Sequence, residues 1–412
     1  MKNNYDVVVI GGGPAGLSSA YQAFSSSAEV LIIEREGKLG GILKQCIHDG
    51  FGVTRFKEKL SGPEYATREI DKLQDTTIDV SLLTFVTKIE KENDIFSITV
   101  VNSTGVHIIT SKKLILATGC RERTSKQVLI QGTSPCGVMT AGQAQYYINI
   151  MGVMPVKNCV ILGSGDIGLI MARRITLEGG KVEGVYEVKS NPSGLSRNIA
   201  QCLTDFDIPL HLSHTVTKVF GQDRLEAVEV AEVDKKMNPI ENTKRIIKCD
   251  SLILSVGLIP ENELTKSLNI PLSPFTKGPF VDQTFETLVN GVYACGNAMH
   301  VNDLADYVSE SGEIAGQHAV EDKTSERNLK EVKKDNHFLY VVPSHIDFNK
   351  NTKDMIFYFR SNADYKNKVL RIMQGDKEIF HKAYQFLKPP EMEKIKLTVD
   401  KKEEISLILE DK

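Results

Sequence analysis

The sequence lacks the cysteine patterns of a dithiol or iron–sulfur centre. Its seven cysteines, at positions 46, 120, 136, 159, 202, 249 and 295, form no C-x-x-C pair and show no metal-ligand spacing. This absence excludes the simplest dithiol and iron–sulfur chemistries, and we expect no metal site. Scattered cysteines of this kind also favour a reducing, cytoplasmic setting.

Long apolar runs and blocks of basic residues are also missing. No apolar stretch approaches the roughly 18 residues that span a bilayer, and the apolar run near the N-terminus is too short for a signal peptide. The net charge is −3 and there is no basic stripe, so we expect neither a membrane span nor a nucleic-acid partner. With 412 residues, the chain is long enough for two or three domains.

What the sequence does contain begins with a glycine-rich turn between a strand and a helix. Residues 7–10 are apolar and mostly β-branched, as in a buried parallel strand. In the turn that follows, Gly11 permits the tight bend, Gly13 lets the backbone approach a pyrophosphate, and Gly16 lets helix and strand pack closely. Glu34 ends the next strand, 23 residues after Gly11, where a carboxylate can bind ribose hydroxyls. This order of elements predicts a dinucleotide-binding fold.

A second turn of the same kind lies near the middle of the chain. A buried strand over 159–162 leads into Gly163, Gly165 and Gly168, at the start of another helix. Glu187 lies 19 residues after Gly168, at the end of the next strand. An acid there favours the free 2′-hydroxyl of NAD over the 2′-phosphate of NADP, so we expect NADH to be preferred. The alternative interpretation is that Glu187 is only a solvated strand end.

Further strands and one long helix are predicted between and after these turns. Alternating residues indicate antiparallel strands over 80–110 and a β-hairpin over 214–249. Buried strands that end at a glycine or proline are predicted within 113–119, 252–260 and 290–298, and a helix is predicted at about 303–321.

The composition changes after Asp322. A charged connector, residues 323–336, precedes four short alternating segments at 355–359, 369–373, 395–399 and 405–409. These segments predict a small antiparallel β domain. Because no chemistry is visible in it, we expect either a docking or dimerisation role or a scaffold appendage.

The two glycine turns, the Ala117–Gly119 strand end between them and the Tyr293–Asn297 segment occur in one order. This order resembles that of the flavoprotein pyridine-nucleotide oxidoreductases with two dinucleotide-binding domains. The resemblance implies an α/β fold with two Rossmann-like domains, FAD on the first turn and NAD(P)H on the second. The expected divisions are a split FAD-binding domain over 1–119 and 259–322, an inserted NAD(P)-binding domain over 120–258, and the C-terminal all-β domain over 323–412.

Three segments narrow the resemblance to a branch with opine-oxidase and cyanide-synthase subunits and the oxidoreductases that accompany glycerol-3-phosphate dehydrogenase. They are residues 40–48 (GGILKQCIH), 137–145 (GVMTAGQAQ) and 296–304 (GNAMHVNDL). The last segment is most similar to the glycerol-3-phosphate-associated members. Members of this branch usually work beside a second subunit. The resemblance therefore implies a partner, either a dehydrogenase or an electron-acceptor subunit. Association of the chain with copies of itself is the other expectation.

The resemblance also implies a set of cofactor-binding residues. They are Gly11, Gly13, Pro14, Ala15, Gly16, Glu34, Gly41, Val86, Thr118, Gly119, Gly163, Gly165, Ile167, Gly168, Glu187, Gly257, Gly296 and Asn297. The family usually has aspartate where this chain has Asn297, and the amide oxygen can still accept a hydrogen bond, without the charge. We therefore expect FAD binding with an altered flavin potential.

Cys46 and His48 are the candidate catalytic residues. They follow the glycine pair that introduces redox cysteines in the related disulfide reductases, and an imidazolium at this place could stabilise a thiolate. The alternative is that Cys46 is a small buried side chain and His48 a loop residue with satisfied hydrogen bonds. His300, as a contact of flavin or partner, and the single Cys136, as a redox thiol, are weaker candidates.

Three functions stay open at this point. The chain is an electron-transfer flavoprotein that exchanges hydride between NAD(H) and FAD and serves a partner dehydrogenase, here linked to glycerol 3-phosphate oxidation. Alternatively, it is a self-contained NADH oxidase, peroxidase or thiol reductase that uses Cys46, or a redox-sensing interaction module. Because the cofactors supply the hydride chemistry, the lack of obvious catalytic residues does not exclude an enzyme.

Overall fold

A computed structural model of the chain describes residues 2–322, 326–350, 352, 354–399 and 403–412. The chain packs as two compact units, one formed by 1–120 together with 260–412 and the other by 121–259. The second unit is therefore a continuous insertion into the first.

The helices lie mainly in the two regions of the chain that contain the glycine turns. Those assigned in the described residues are α1 (Pro14–Ser25), α2 (Gly62–Asp71), α3 (Ala141–Asn149), α4 (Asp166–Leu177), α5 (Ser196–Cys202), α6 (Glu263–Ser267) and α7 (Ala305–Glu321). Short 3-10 helices lie at Gly41–Gln45, Thr204–Phe206, Glu241–Thr243 and Gly296–Ala298.

Strands make up most of the remaining regular structure. Up to the end of the second unit they are β1 (Asn4–Ile10), β2 (Val30–Ile33), β3 (Asp79–Ser81), β4 (Phe85–Glu92), β5 (Ile95–Asn102), β6 (Gly105–Leu116), β7 (Cys120–Glu122), β8 (Gln131–Gly132), β9 (Val138–Thr140), β10 (Asn158–Leu162), β11 (Lys181–Glu187), β12 (Leu210–Leu212), β13 (His214–Phe220), β14 (Ala227–Glu232), β15 (Arg245–Lys248), β16 (Ser251–Leu254) and β17 (Leu258–Pro260). The later ones are β18 (Val292–Ala294), β19 (Leu329–Glu331), β20 (Lys333–Lys334), β21 (Phe338–Val342), β22 (His345–Asp347), β23 (Asp354–Ser361), β24 (Tyr365–Gln374), β25 (Lys377–Leu387), β26 (Glu393–Thr398) and β27 (Ile405–Asp411).

The first unit is organised on a seven-stranded sheet in the order β3-β2-β1-β6-β5-β4, with β18 also paired to β6. The buried strand β1 runs parallel to β2 and β6, where Val8 lies opposite Leu31 and Leu114. Helix α7 packs very closely on α1, because a Cβ at Gly312 would lie 2.2 Å from the carbonyl oxygen of Ala15. The return of the chain as β18 and α7 completes the fold that β1 and α1 begin, as predicted.

The second unit has a parallel sheet in the order β12-β11-β10-β16-β9, which carries the second glycine turn after β10. A second sheet, β15-β14-β13-β8, covers one side of it. The predicted hairpin over 214–249 is a three-stranded antiparallel arrangement of β13, β14 and β15.

The C-terminal region is a sandwich of two sheets, β20-β27-β24-β25 and β21-β23-β26. Their facing sides share one apolar core, which includes Phe357, Phe359, Leu370 and Leu407. The strands β21, β22 and β25 were not predicted, because none of them alternates: β21 is a continuous apolar run, β22 has only three residues, and the apolar residues of β25 mostly stand in adjacent pairs. The predicted connector contains the short strands β19 and β20, and its residues 323–325 lie outside the described residues.

The sheet β21-β23-β26 also packs against the nucleotide-binding part of the first unit. Tyr340, Val342, Ile356 and Tyr358 belong to the same core as the strands of the seven-stranded sheet. The C-terminal strands are thus part of the first compact unit. The predicted fold class, an α/β chain with two Rossmann-like domains and a C-terminal all-β region, is confirmed. In the first sheet β1, β2, β3, β6 and β18 run parallel, and β4 and β5 extend it in antiparallel fashion.

A buried cluster of charges joins the C-terminal region to the rest of the first unit. The Lys350 ammonium lies 2.9 Å from Asp282, 2.7 Å from Glu286 and 2.9 Å from Asp322, and its side chain is only 2% exposed. Arg327 adds a contact of 2.7 Å to Asp282. Burial alone would lower the pKa of Lys350, but the surrounding carboxylates raise it. Removing Lys350 would therefore leave the buried carboxylates only partly compensated, by Arg327.

We expect Lys350→Met to lower the apparent free energy of unfolding of the first unit by about 3–5 kcal/mol, because the buried Asp282, Glu286 and Asp322 lose a shared cation and only Arg327 remains beside the first two. Urea unfolding followed by circular dichroism measures this loss. Lys333→Met is the matched control, since Lys333 is 66% exposed in its pair with Glu404 and should cost under about 1 kcal/mol. Equal losses in the two variants would contradict the anchoring role of the cluster.

Candidate functional site

The first glycine turn is shaped by close backbone contacts that only glycine permits. Gly11 has a φ of +109°, and a Cβ there would lie 2.3 Å from the carbonyl oxygen of Ala117. A Cβ at Gly16 would lie 1.8 Å from the carbonyl oxygen of Gly11. At Gly13, by contrast, the nearest atom is the Cα of Gly41 at 3.8 Å. The backbone is therefore open on the side where a phosphate group would approach.

Helix α1 begins at this turn without a side-chain cap. Its N-cap residue is Gly13 and its first residue is Pro14, which has no N–H to satisfy. Ala15 follows in the first turn and is buried. The helix dipole and the N–H groups of the first turn favour an anion at this end.

Glu34 lies beside the first turn, at the end of β2, and is 6% exposed. Its Oε2 accepts a hydrogen bond of 2.7 Å from the N–H of Gly12, and its Oε1 accepts one of 2.8 Å from the N–H of Glu36. Each oxygen keeps a lone pair beyond these bonds. The carboxylate is thus held in place and can still accept two ribose hydroxyls.

The returning chain brings Gly296 and Asn297 next to α1. The N–H of Gly296 donates to Ser311 Oγ at 2.8 Å, and a Cβ at Gly296 would lie 2.8 Å from that of Ala15. The amide oxygen of Asn297 accepts the N–H of Asn302 at 3.0 Å, while its Nδ2 lies 3.5 Å from Cys120 Sγ. These contacts orient the Asn297 side chain with its amide oxygen toward Asn302 and its amide nitrogen toward Cys120.

Three other residues expected at the first site have different surroundings. Thr118 donates its hydroxyl to the carbonyl of Glu261 at 2.7 Å. Gly119 has a φ of +74° and open space around it. Val86 lies in β4 with its side chain in the apolar core, so only its backbone could contact a cofactor.

The second glycine turn repeats the construction of the first. Gly163 has a φ of +95°, and a Cβ there would lie 2.1 Å from the carbonyl oxygen of Ser255. A Cβ at Gly168 would lie 2.7 Å from the Cβ of Ser255. Helix α4 begins after Gly165 without a side-chain cap, and Ile167 lies half-buried in its first turn. The start of this helix therefore also favours an anion, although Asp166 adds an acid in its first turn and the N–H of Gly168 already donates to Ser255 Oγ at 3.0 Å.

Glu187 ends β11 beside this second turn and is 4% exposed, so it is not a solvated strand end. Its Oε2 accepts the N–H of Ser164 at 3.0 Å, and its Oε1 accepts the N–H of Lys189 at 3.1 Å. Gly257, expected near this site, has a φ of +100° with Arg123 Nε as the nearest atom to a Cβ.

The environment of Cys46 favours the thiol over the thiolate. Burial raises the pKa of Cys46 to about 12, and its Sγ lies 3.4 Å from the carbonyl oxygen of Ile42. His48 Nδ1 lies 2.9 Å from the carbonyl oxygen of Asp49, and its ring lies 5.0 Å from that of Phe51. A thiol with so high a pKa is a poor nucleophile at neutral pH.

His300 is fully buried, whereas Cys136 is exposed. Burial, with the nearby charge of Arg360, lowers the pKa of His300 to about 3. The imidazole is therefore neutral at neutral pH, and its ring lies 5.1 Å from that of Tyr358. Cys136 is exposed in the second unit, where its backbone N–H bonds to the carbonyl of Asp223 at 2.9 Å.

Asp306, which holds the loop after Cys46 in place, was not predicted from the sequence. Its carboxylate, in the first turn of α7, accepts the N–H groups of Gly52 at 3.1 Å, Thr54 at 2.7 Å and Arg55 at 3.2 Å. This holds the loop that follows Cys46 against α7. The only sequence signal was an acid in the first turn of a helix, which is common because of the helix dipole.

Two uncapped glycine turns, each with a buried carboxylate, define a protein that binds two dinucleotides. The chain belongs to the pyridine nucleotide-disulphide oxidoreductase family, whose sequence pattern matches residues 5–319. It is 25% identical over 316 residues to a ferredoxin–NADP reductase of Leuconostoc mesenteroides, covering 75% of this chain and 89% of that protein. It is 23% identical to an opine oxidase subunit of Agrobacterium tumefaciens, covering 77% of this chain and 66% of that protein.

The fold is also similar to that of a solved enzyme. T. acidophilum thioredoxin reductase matches with a TM-score of 0.64 and 22% identity, covering 78% of this chain and 99% of that structure. Membership in this family makes the chain an FAD-dependent NAD(P)H oxidoreductase.

Other kinds of site are not evident in the part of the chain that the structure describes. Within it, no group of three or more His, Cys, Asp or Glu side chains is arranged to hold a metal ion. No described helix is long and apolar enough to cross a membrane.

We expect Cys46→Ser to keep the rate of anaerobic flavin reduction by NADH within about twofold of wild type, because the Cys46 thiol stays protonated at neutral pH. Stopped-flow absorbance of the flavin measures this rate, and steady-state assays with oxygen and peroxide accompany it. Cys136→Ser, at an exposed position, is the control. Loss of most oxygen or peroxide turnover in Cys46→Ser alone would show that a cysteine relay operates.

Proposed function

We propose that the chain exchanges hydride between NAD(H) and FAD and passes the electrons to a partner polypeptide. The observation that carries the proposal is the repeated device of an uncapped glycine turn with a buried carboxylate, once in each unit. When bound, nicotinamide and flavin supply the hydride chemistry themselves. The chain's own residues bind, orient and shield the two cofactors.

We assign FAD to the first turn. The open backbone at Gly13, the uncapped start of α1 and the two remaining acceptor sites of Glu34 fit a pyrophosphate followed by an adenosine ribose. Asn297 would offer an amide oxygen, already oriented by Asn302, to a hydroxyl of the same cofactor. Its lack of charge leaves the site more favourable to an electron-rich flavin than an aspartate would.

We assign NADH to the second turn, in preference to NADPH. Glu187 is buried and held by backbone N–H groups, so a 2′-phosphate would meet a fixed negative charge. The name of the Leuconostoc mesenteroides relative includes NADP, which makes NADPH the natural competitor in any test.

A partner is part of the proposal because the chain has no thiol pair of its own. The sequence contains no C-x-x-C, and burial raises the pKa of the Cys46 thiol to about 12. The relative from Agrobacterium tumefaciens is named as one subunit of an oxidase, which supports a second polypeptide here. The glycerol 3-phosphate link rests only on the resemblance of residues 296–304, and the cytoplasmic setting on the scattered cysteines.

We place the docking role on the sheet β20-β27-β24-β25. The other sheet of the sandwich has its outer side in the core of the first unit, so it is not accessible. The outer sheet carries charged side chains, among them Arg371, whose Nε lies 2.9 Å from Glu410, and His381, whose Nδ1 lies 2.8 Å from Glu378. A second copy of the chain is the alternative occupant.

Purified protein should be yellow, and anaerobic NADH should bleach it at least about tenfold more efficiently than NADPH, because Glu187 repels a 2′-phosphate. With oxygen as the sole acceptor, the chain alone should turn over below about 1 per second, at the low end of enzyme rates. Stopped-flow reduction and oxygen consumption measure these two quantities.

Three results would contradict the proposal. If the purified protein is colourless and takes up no FAD, the assignment of FAD to the first turn is wrong. A tenfold preference for NADPH removes the role given to Glu187. Turnover with oxygen at tens per second removes the need for a partner.

A further inference from the structure

The segment that follows β11 folds back onto the second glycine turn. The N–H of Ser193 donates to Ser164 Oγ at 2.8 Å, and the N–H of Leu195 donates to Asp166 Oδ1 at 2.9 Å. Between them, Gly194 lies so close to the turn that a Cβ would be 2.7 Å from the carbonyl oxygen of Ser164. We call residues 193–195 the strap.

The strap adds hydrogen bonds to the Glu187 carboxylate. Glu187 Oε2 accepts the N–H of Ser164 at 3.0 Å, the hydroxyl of Ser164 at 2.5 Å and the hydroxyl of Ser193 at 3.2 Å. Three donors saturate this oxygen. Oε1 accepts the N–H of Lys189 at 3.1 Å, and it keeps a lone pair for a further donor.

This arrangement differs from that at the first turn. There the Glu34 oxygens accept one backbone N–H each, from Gly12 and Glu36. At the second turn, two serine hydroxyls lock one oxygen and leave the other as the acceptor. A carboxylate held by several charge-assisted hydrogen bonds cannot turn away at low cost.

We propose that Ser193 and Ser164 are positioning residues for the choice of dinucleotide: they hold Glu187 where it accepts a ribose hydroxyl and opposes a 2′-phosphate. The inference rests on the proposed binding of a nicotinamide dinucleotide at this turn. A free 2′-hydroxyl can donate to Glu187 Oε1, whereas a phosphate has no proton to donate and carries like charge. Lys189 and Arg197 are exposed cations on the same segment. Once Glu187 is released, they could receive a 2′-phosphate.

The test compares Ser193→Ala and Ser164→Ala with two matched variants in FAD-loaded protein. Ser193→Thr keeps the hydroxyl, and Ser196→Ala alters an exposed serine next to the strap. Titration calorimetry gives the dissociation constants of NAD+ and NADP+, which bind without turnover.

We expect the NADP+ to NAD+ ratio of dissociation constants to fall about tenfold in Ser193→Ala and Ser164→Ala, the scale of one hydrogen bond to a charged group. Binding of NADP+ should tighten while that of NAD+ weakens, which general damage to the fold would not produce. Ser193→Thr and Ser196→Ala should keep the wild-type ratio.

The outcomes separate the two proposals. If wild type prefers NAD+ but both alanine variants keep its ratio, the positioning role is wrong while the assignment of NADH stands. If wild type shows no preference, the positioning role fails together with the preference for NADH. If Ser193→Ala weakens both dinucleotides equally, so that their ratio keeps its wild-type value, the strap is only structural.

Discussion

A hydrogen bond from a turn amide to a buried carboxylate underlies both nucleotide-binding regions. Glu34 receives it from Gly12 and Glu187 from Ser164, at 2.7 Å and 3.0 Å. Each bond ties the end of the second strand to the glycine turn after the first, so the carboxylate that we propose as the ribose acceptor is held next to the turn. Close contacts of Gly11 with Ala117 and of Gly163 with Ser255 then hold each turn against the end of a neighbouring strand, β6 in the first unit and β16 in the second. Without these ties the helix N-termini would not face a dinucleotide in a defined place.

The C-terminal strands are packed into the first unit and are not a separate appendage. Lys350 and Arg327 supply the positive charge that the buried carboxylates Asp282 and Glu286 need. Arg360 also pairs with Asp303, just before α7. The region that ends the chain thus stabilises the loop after Asn297, and removing it would leave several buried charges without partners. We therefore confine the proposed docking role to the sheet β20-β27-β24-β25.

The parts of the fold with local signals could be predicted from the sequence, and those that depend on distant pairing could not. Strand, glycine and acid spacing around Gly11 and Gly163 predicted both turns, because each turn is formed within some thirty residues. Asp306, by contrast, bonds to the backbone of 52–55, which sequence spacing does not bring near. The burial that raises the pKa of Cys46 depends on packing, so the sequence left both interpretations of this residue open, a redox thiol and a small buried side chain. Strand β25 was missed because its apolar residues mostly stand in adjacent pairs and do not alternate with polar ones.

A crystal structure of the protein with FAD and NAD+ bound would test the two cofactor assignments most directly. We expect the adenosine ribose of FAD within hydrogen-bond distance of Glu34 and that of NAD+ within hydrogen-bond distance of Glu187 Oε1. The pyrophosphates should lie at the N-termini of α1 and α4. An FAD ribose away from Glu34, or NAD+ bound with its ribose away from Glu187, would contradict these assignments.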